Sequence, residues 1–385
     1  MGPLAGYRII EFAGIGPGPF CAMMLADMGA EIIRIDRAVG SARSIAVDPK
    51  LDITARGRKS LAVDLKNPRA IVAVLRVCAR ADALLEGFRP GVMERLGLGP
   101  EPCFAVNPRL VYGRMTGWGQ SGPLSQTAGH DINYLAISGN LHMFGRSEER
   151  PSAPLNLVAD MGGGGLMLAF GMTCALLERQ RSGQGQVVDA AMFEGAAALA
   201  TSVYAQKAMG WWQPQRGANL LDSGAPFYEV YATKDRRYMA VGAIEPQFYA
   251  LLLQGLQLNA QSLPPQLERN AWPALKLRFA AIFAQRTLAE WVQIFAGTDA
   301  CVSPVLTPEE AVTHEHARAR NSFQRTVNHP HPAAVPRYSR SNSGELSDPP
   351  VSGQHSEQVL QEFGFSAAEA HALQACGAVK QYQNG

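Results

Sequence analysis

Tyr7-Arg8-Ile9-Ile10-Glu11-Phe12, Gly14-Ile15-Gly16-Pro17-Gly18, Phe20 to Met28 and Glu31-Ile32-Ile33-Arg34-Ile35-Asp36-Arg37 follow one another at the start of the chain. The first is an apolar run of strand length, the second a glycine- and proline-rich turn, the third a helix and the fourth a second strand. That order makes a βαβ unit. Gly14-x-Gly16 at the helix entry, with Asp36 about 20 residues further on, matches part of a dinucleotide-binding fingerprint. The third glycine position holds Pro19, however, and Asp36 is followed by Arg37, whose guanidinium suits a phosphate better than a bare ribose. The segment predicts a Rossmann-like start whose ligand is phosphorylated and need not be a nicotinamide.

The alternation continues outward from this start. Ser60 to Leu65, Ala83 to Glu86 and Leu110 to Met115 read as strands and Ala70 to Arg80 as a helix, which implies a mainly parallel α/β sheet. Basic residues recur around the strand ends: Arg37, Arg56, Arg58, Lys59, Lys66, Arg89 and Arg95. Ligands of such sheets bind at the carboxyl ends of strands. Most of these cations are expected to be simply solvated; Arg37, Arg89 and Arg95 are the candidates for phosphate contact, because each follows a strand or lies in the loop and helix after it.

Two groups of different type suggest proton chemistry. Gly129-His130-Asp131-Ile132-Asn133-Tyr134 precedes a helical pattern, and Leu157-Val158-Ala159-Asp160-Met161 with its run of four glycines leads toward another. Helix starts favour anions and disfavour cations, so the reading is that Asp160 is held ionised and His130 neutral just before their helices, with the glycines letting a ligand approach backbone. An imidazole and a carboxylate facing each other across a carbon acid are the minimum equipment of a two-base racemase. Either residue alone would read as an ordinary cap.

At 385 residues and 47% hydrophobic content the chain is long enough for two domains with large cores. A net charge of +2 with 18% charged residues gives no basic stripe for nucleic acid and points to a small ligand. Six cysteines without a C-x-x-C pair predict a reducing, cytoplasmic setting. No signal peptide or membrane-length apolar run is read, Met1-Gly2 opens no myristoylation motif, and Gln383-Asn384-Gly385 is not a peroxisomal signal. His314-Glu315-His316 and His329-Pro330-His331 lack a third ligand at metal-site spacing, so no metal is expected.

Further along, Phe227 to Ala232 and Tyr238 to Gly242 read as a hairpin, followed by helices from Gln247 and around Trp291 and by a capping box at Thr307-Pro308-Glu309-Glu310. From His329 to Gly353 the chain reads as a Pro- and Ser-rich linker, before a helix from Ser356 to Phe363.

Taken in order, Gly16-Pro17-Gly18-Pro19-Phe20-Cys21, Arg34-Ile35-Asp36-Arg37, Asp64-Leu65-Lys66, Phe88-Arg89-Pro90-Gly91-Val92, Thr116-Gly117-Trp118-Gly119-Gln120, Gly129 to Tyr134, Ala225-Pro226-Phe227-Tyr228, Gly242 to Tyr249 and Asp299-Ala300-Cys301-Val302 carry a resemblance across nearly the whole chain. The sequence resembles the alpha-methylacyl-CoA racemase branch of the family III CoA-transferases. The resemblance implies that His130 and Asp160 are the catalytic bases and that Glu245 pairs with a histidine in the site. It implies CoA contacts at Arg37, at Val63, Asp64, Leu65 and Lys66, at Gly87, Phe88 and Arg89, at Arg95, and through Gly129, Asp131, Ile132, Asn133 and Tyr134. CoA arrives as part of the substrate, so no separate cofactor is implied. It further implies an interlocked homodimer of a large Rossmann-like domain (1–210, with 320–385 returning to it) and a small α+β domain (225–310). Transferases of the family use the carboxylate at the Asp160 position as a nucleophile and usually lack the histidine. They carry a glycine-rich loop where this chain has Gly242-Ala243-Ile244-Glu245, so the racemase reading is favoured. A nicotinamide oxidoreductase and a nonenzymatic acyl-CoA carrier are the other classes considered.

Overall fold

The computed structural model describes residues 1–38, 48–326, 329–342 and 347–382; the sequence readings of Gln383 to Gly385 and of 343–346 in the expected linker lie outside the described residues. The chain forms two units, one of Met1–Ser138, Leu155–Leu199 and Asn321–Gly385, the other of Gly139–Pro154 and Ala200–Arg320. Stretches 139–154 and 200–210, expected in the large domain, thus group with the second unit. The helices Met192–Leu199 and Thr201–Ala208 meet at Ala200, and no Gly or Pro marks the break in the sequence.

In the first unit, β1 (Arg8–Phe12), β2 (Glu31–Arg37), β3 (Arg58–Val63), β4 (Ala83–Glu86), β5 (Val111–Thr116) and β6 (Val187–Ala191) lie in the order β3-β2-β1-β4-β5-β6. All pairs are parallel, and Val379–Lys380 adds an antiparallel strand beside β3. This is the Rossmann order, and it reverses between β1 and β4, where such sheets open a ligand crevice. Every residue of β4 and β5 is buried, as parallel strands covered on both faces require. Prolines at the first turn start the helices Pro17–Asp27 and Pro68–Cys78, where a missing N–H costs nothing.

The glycine run is not a turn before a helix. Leu157–Leu166 is wound as a π-helix that passes directly into the α-helix Met167–Ser182. Gly163, Gly164 and Gly165 are buried, and a Cβ on them would lie 2.6 Å from the Ala196 nitrogen, 2.8 Å from Met192 and 2.7 Å from the Pro17 carbonyl oxygen. They therefore serve close packing onto Pro17–Asp27 and Met192–Leu199, not ligand access. The continuous stretch Leu157–Ser182 is, among the described residues, long and apolar enough by length and composition to cross a membrane. The sequence reading found no such run because it broke the stretch at the glycines. Within the fold one side of this stretch is packed, and Arg179 near its end is 4% exposed and bonds Asp82 at 2.8 Å.

Glu11 of β1 and Arg58 of β3 form an ion pair at 3.0 Å with side chains 1% and 0% exposed. Arg58 also donates to the carbonyls of Thr54, Arg56 and Pro19, the last at 2.5 Å, so one guanidinium ties two strands to the first turn of Pro17–Asp27. Burial outweighs the attraction of Arg58 and holds the Glu11 carboxyl above its ordinary range. The C-terminal segment packs Val359, Leu360 and Phe363 into the same core as Leu61 and Val63.

The second unit holds β7 (Tyr228–Ala232), β8 (Tyr238–Gly242) and β9 (Val302–Pro304) in an antiparallel sheet. Its core gathers Phe227, Phe279, Phe283 and Trp291, with Tyr231 stacked on Phe283 at 4.9 Å. One correction concerns the linker: His329–Pro332 pairs with Phe323–Thr326 as an antiparallel hairpin. His-Pro-His-Pro carries no apolar alternation by which a strand could be read.

Replacing Arg58 with Ala should cost about 3–5 kcal/mol, because it leaves the Glu11 charge buried without its partner. Urea denaturation checks this, and adding Glu11→Gln to the variant should recover part of the loss.

Candidate active site

Asp160 lies inside the π-wound first turn, not before it, and is half-buried. The helix Pro17–Asp27 brings Gly16 beside it: a Cβ on Gly16 would sit 3.5 Å from Asp160 Oδ2. Gly16 has φ +69° and ψ −120°, a backbone state that a side chain would strain. Asp160 is thus held beside the turn between β1 and Pro17–Asp27, which follows the strand where the sheet order reverses.

His130 is exposed and immediately precedes the helix Asp131–Ile137; its N–H donates to Asn133 Oδ1 at 3.1 Å, and its carbonyl accepts from the Asn133 and Tyr134 N–H groups. Asp131 is only 4% exposed, and its Oδ2 accepts from the N–H groups of Ala159 at 2.8 Å and Asp160 at 2.7 Å. The residue next to one candidate base is therefore bonded to the backbone of the other. Tyr134 donates to the Gly129 carbonyl at 2.5 Å and lies against Gly117 and Gly129, where a Cβ would come within 2.3 and 2.8 Å of its ring. Trp118 meets Tyr134 edge-on, with ring centroids 4.8 Å apart.

These contacts correct the electrostatic expectation for Asp160. The N–H groups of Ala159 and Asp160 are occupied by Asp131, so they do not stabilise charge on a ligand. Nor is Asp160 favoured in its ionised form: burial, and then the neighbouring Asp131 charge, raise its carboxyl above the usual range, against smaller opposing effects of Asn156 and His130. Burial and the same two aspartates push the Tyr134 hydroxyl up to about 12, so it remains a donor to Gly129 at neutral pH.

The expected CoA residues line the carboxyl ends of adjacent strands. Arg37 ends β2 opposite Val63, the last residue of β3, and the Ala38 N–H donates to the Val63 carbonyl. Asp64 accepts from the Lys66 N–H at 3.0 Å and so shapes the turn, while Leu65 packs on the core. Arg37 and Lys66 are exposed. After β4, Gly87 and Arg89 are exposed, while Phe88 turns inward onto Phe12, with ring centroids 6.2 Å apart. Arg95 ends the short helix Val92–Arg95, exposed, with Nη1 close over Gly91. Ile132 and Asn133 are exposed on the first turn after His130.

Sequence reasoning missed the group that braces this edge. Arg114 of β5 bonds Glu86 at 3.1 Å and Glu94 at 2.8 Å, and Glu86 accepts from the Phe88 N–H at 2.7 Å. A buried acid at the end of an apolar strand, Ala83-Leu84-Leu85-Glu86, was its one available signal. Trp118, Gly117 and Gly16 belonged to quoted motifs, but spacing alone gave no reason to place them beside the bases. Glu245 is in the second unit, exposed at the N-terminus of the helix Pro246–Gly255. Among the described residues no group of three or more His, Cys, Asp or Glu is placed to hold a metal ion.

Comparison with known proteins places the chain in a family. The model of CoA-transferase family III matches residues 4–356. A mouse (Mus musculus) protein named alpha-methylacyl-CoA racemase is 53% identical over 95% of this chain and 94% of its own length. A human (Homo sapiens) protein of the same name is 50% identical over 96% of each chain. A mouse succinyl-CoA:glutarate CoA-transferase is 29% identical over 100% of this chain and 92% of its own. The crystal structure of Rv3272 from Mycobacterium tuberculosis superposes with a TM-score of 0.77 at 27% identity, covering 92% of this chain and 98% of that one. The chain belongs to CoA-transferase family III.

Proposed function

We propose that the protein is a racemase that inverts the 2-methyl centre of 2-methylacyl-CoA thioesters, with His130 and Asp160 as its two bases. The observation that carries this reading is the linkage of the two groups: Asp131 follows His130 in the chain and bonds the Asp160 backbone, so the segments that carry an imidazole and a carboxylate are tied together. The naming of the mouse and human relatives supports it.

In this reading CoA lies along the cationic edge, with Arg37, Lys66, Arg89 and Arg95 toward its phosphates and Val63 to Leu65, Gly87 and Phe88 alongside. One base removes the α-proton, leaving an enolate, and the other returns a proton to the opposite face. Atoms and electrons balance without an oxidant, so the step calls for no nicotinamide, flavin or metal. Acid–base groups alone supply about 10²–10⁴-fold, so the enolate oxygen needs donors as well. The N–H groups of Ala159 and Asp160 are not among them. A raised Asp160 carboxyl suits a base that must also act as an acid, because its ionised and protonated forms lie closer in free energy. Glu245 is assigned the role of pairing with a histidine of the site.

We assign the assembly as an interlocked homodimer. Leu166, Phe170 and Leu177 recur along one side of the first unit's long helix and are 47%, 67% and 64% exposed. In the second unit the helix Thr201–Ala208 buries no residue at all. Helices with exposed apolar faces gain stability by association. Free cysteines, three of them buried, support a reducing cytoplasmic setting.

Incubated in heavy water with either epimer of a 2-methylacyl-CoA, the protein should place deuterium at the α-carbon without added cofactor, as read by mass spectrometry. Epimerisation should be lost in both His130→Ala and Asp160→Ala. Label moving from a free acid into the CoA ester, dependent on Asp160 but not on His130, would instead establish a transferase. In Arg37→Ala and Arg95→Ala, KM should rise far more than kcat falls, since phosphate binding is the same in ground and transition states. The acid limb of kcat/KM against pH should lie above the ordinary aspartate value of about 3.9, because Asp160 must ionise to act as a base and its carboxyl is raised.

A further inference from the structure

The resemblance placed Asp131 among the residues that touch CoA. Its side chain faces the other way. It is 4% exposed, and Oδ2 takes the N–H groups of Ala159 and Asp160, while Oδ1 is buried without a hydrogen-bond partner. A solvated phosphate or adenine contact needs an accessible polar atom, and the Asp131 side chain offers none.

We propose that Asp131 is a positioning residue for both bases, a shared anchor that fixes the His130 loop and the Asp160 turn at one separation. This rests on the racemase reading of the site. Three features support it. First, Asp131 immediately follows His130, so the backbone that carries the imidazole also carries the anchor. Second, its two hydrogen bonds engage Asp160 itself and the residue before it, and bonds to an ionised acceptor are roughly twice as strong as neutral ones. Third, the π-wound turn leaves these N–H groups free for such an acceptor, whereas the Met161 N–H is returned to the Asn156 carbonyl five residues back.

The anchor also has an electrostatic consequence. The titratable groups acting on Asp160 are Asp131, which opposes its ionisation, and His130, which favours it; Tyr134 is close enough to feel both aspartates. Gly16, which caps the helix Pro17–Asp27, lies beside the carboxylate, and Glu194 on Met192–Leu199 is exposed. An amide in place of Asp131 keeps an acceptor oxygen for the two N–H groups but removes the charge. The two functions of Asp131 are therefore separable by substitution.

The experiment compares Asp131→Asn and Asp131→Ala with the wild-type protein, using a 2-methylacyl-CoA in heavy water, kcat and KM across pH, and hydrogen exchange of the backbone amides. In Asp131→Ala, kcat should fall about 10²-fold with a much smaller change in KM, the expected effect of misplacing reacting groups by about 1 Å. Asp131→Asn should recover a large part of kcat and shift the acid limb of kcat/KM to lower pH, because the negative neighbour that opposes Asp160 ionisation is gone. The Ala159 and Asp160 amides should exchange slowly in the wild type and fast in Asp131→Ala. A KM increase exceeding the kcat loss in Asp131→Asn would make Asp131 a CoA contact and overturn the proposal. Unprotected Ala159 and Asp160 amides in the wild type would overturn it as well, even if either variant failed to fold. Absence of α-proton exchange in the wild type, with the amides protected, would defeat the racemase reading and leave only the anchor standing.

Discussion

The close approach of neighbouring atoms to the backbone at Gly163 to Gly165 is the constraint on which the site depends. A methyl group at any of the three would come within 2.6 to 2.8 Å of its neighbours. That is closer than packed atoms tolerate, so a side chain there would push the long helix off Pro17–Asp27 and Met192–Leu199. Because the helix can approach so closely, Asp160 at its first turn reaches Gly16 at the start of Pro17–Asp27. The glycines also weaken the helix that contains them, by about 1 kcal/mol each relative to alanine. That cost helps explain why the turn is held from outside, by Asp131 on two N–H groups, rather than by its own propensity.

A second constraint fixes the floor under this contact. Arg58 reaches from β3 to the Pro19 carbonyl while pairing with Glu11 of β1, so the first turn of Pro17–Asp27 is located relative to the central strands by one buried guanidinium. Arg114 does the same for the loop after β4, holding Glu86 and Glu94 on either side of Gly87 to Arg89. Both cations are braces rather than ligand contacts. The exposed arginines lie outside these braces: Arg37 ends β2, Arg89 lies in the loop after β4 and Arg95 ends the short helix that follows.

Much of this was legible in the sequence, and the reasons differ by element. The strand–turn–helix–strand start was readable because local patterning decides it: β1, Pro17–Asp27 and β2 fall within a few residues of where periodicity put them. The pairing order was foreshadowed by the alternation of strands and helices. The glycine run was misread because glycine is ambiguous in one dimension: it marks turns, ligand approach or helix packing, and only the third dimension chooses among them. The effect of its surroundings on Asp160, which raise its carboxyl rather than lower it, was misread for a related reason. Helix-end arguments assume that the N–H groups are free, and nothing in the spacing of Asp131 and Asp160, far apart in sequence, said that one would occupy the amides of the other. His329–Pro332 escaped notice because a strand held by pairing alone leaves no hydrophobic pattern.

Racemases and transferases can share this scaffold because a half-buried carboxylate serves either chemistry. Raising the carboxyl of Asp160 makes its anion both a better base and a better nucleophile, so its environment does not choose between them. What chooses is the group on the other side of the substrate. A transferase needs room there for a departing thiolate and an incoming acid, whereas a racemase needs a second proton carrier at a fixed distance. In the racemase reading that side is supplied by His130, and the proposed anchor is the residue after it. If a shared anchor is what allows one enzyme to deliver protons to two faces, the decisive element lies less in either base than in the buried carboxylate that makes their separation a property of the fold.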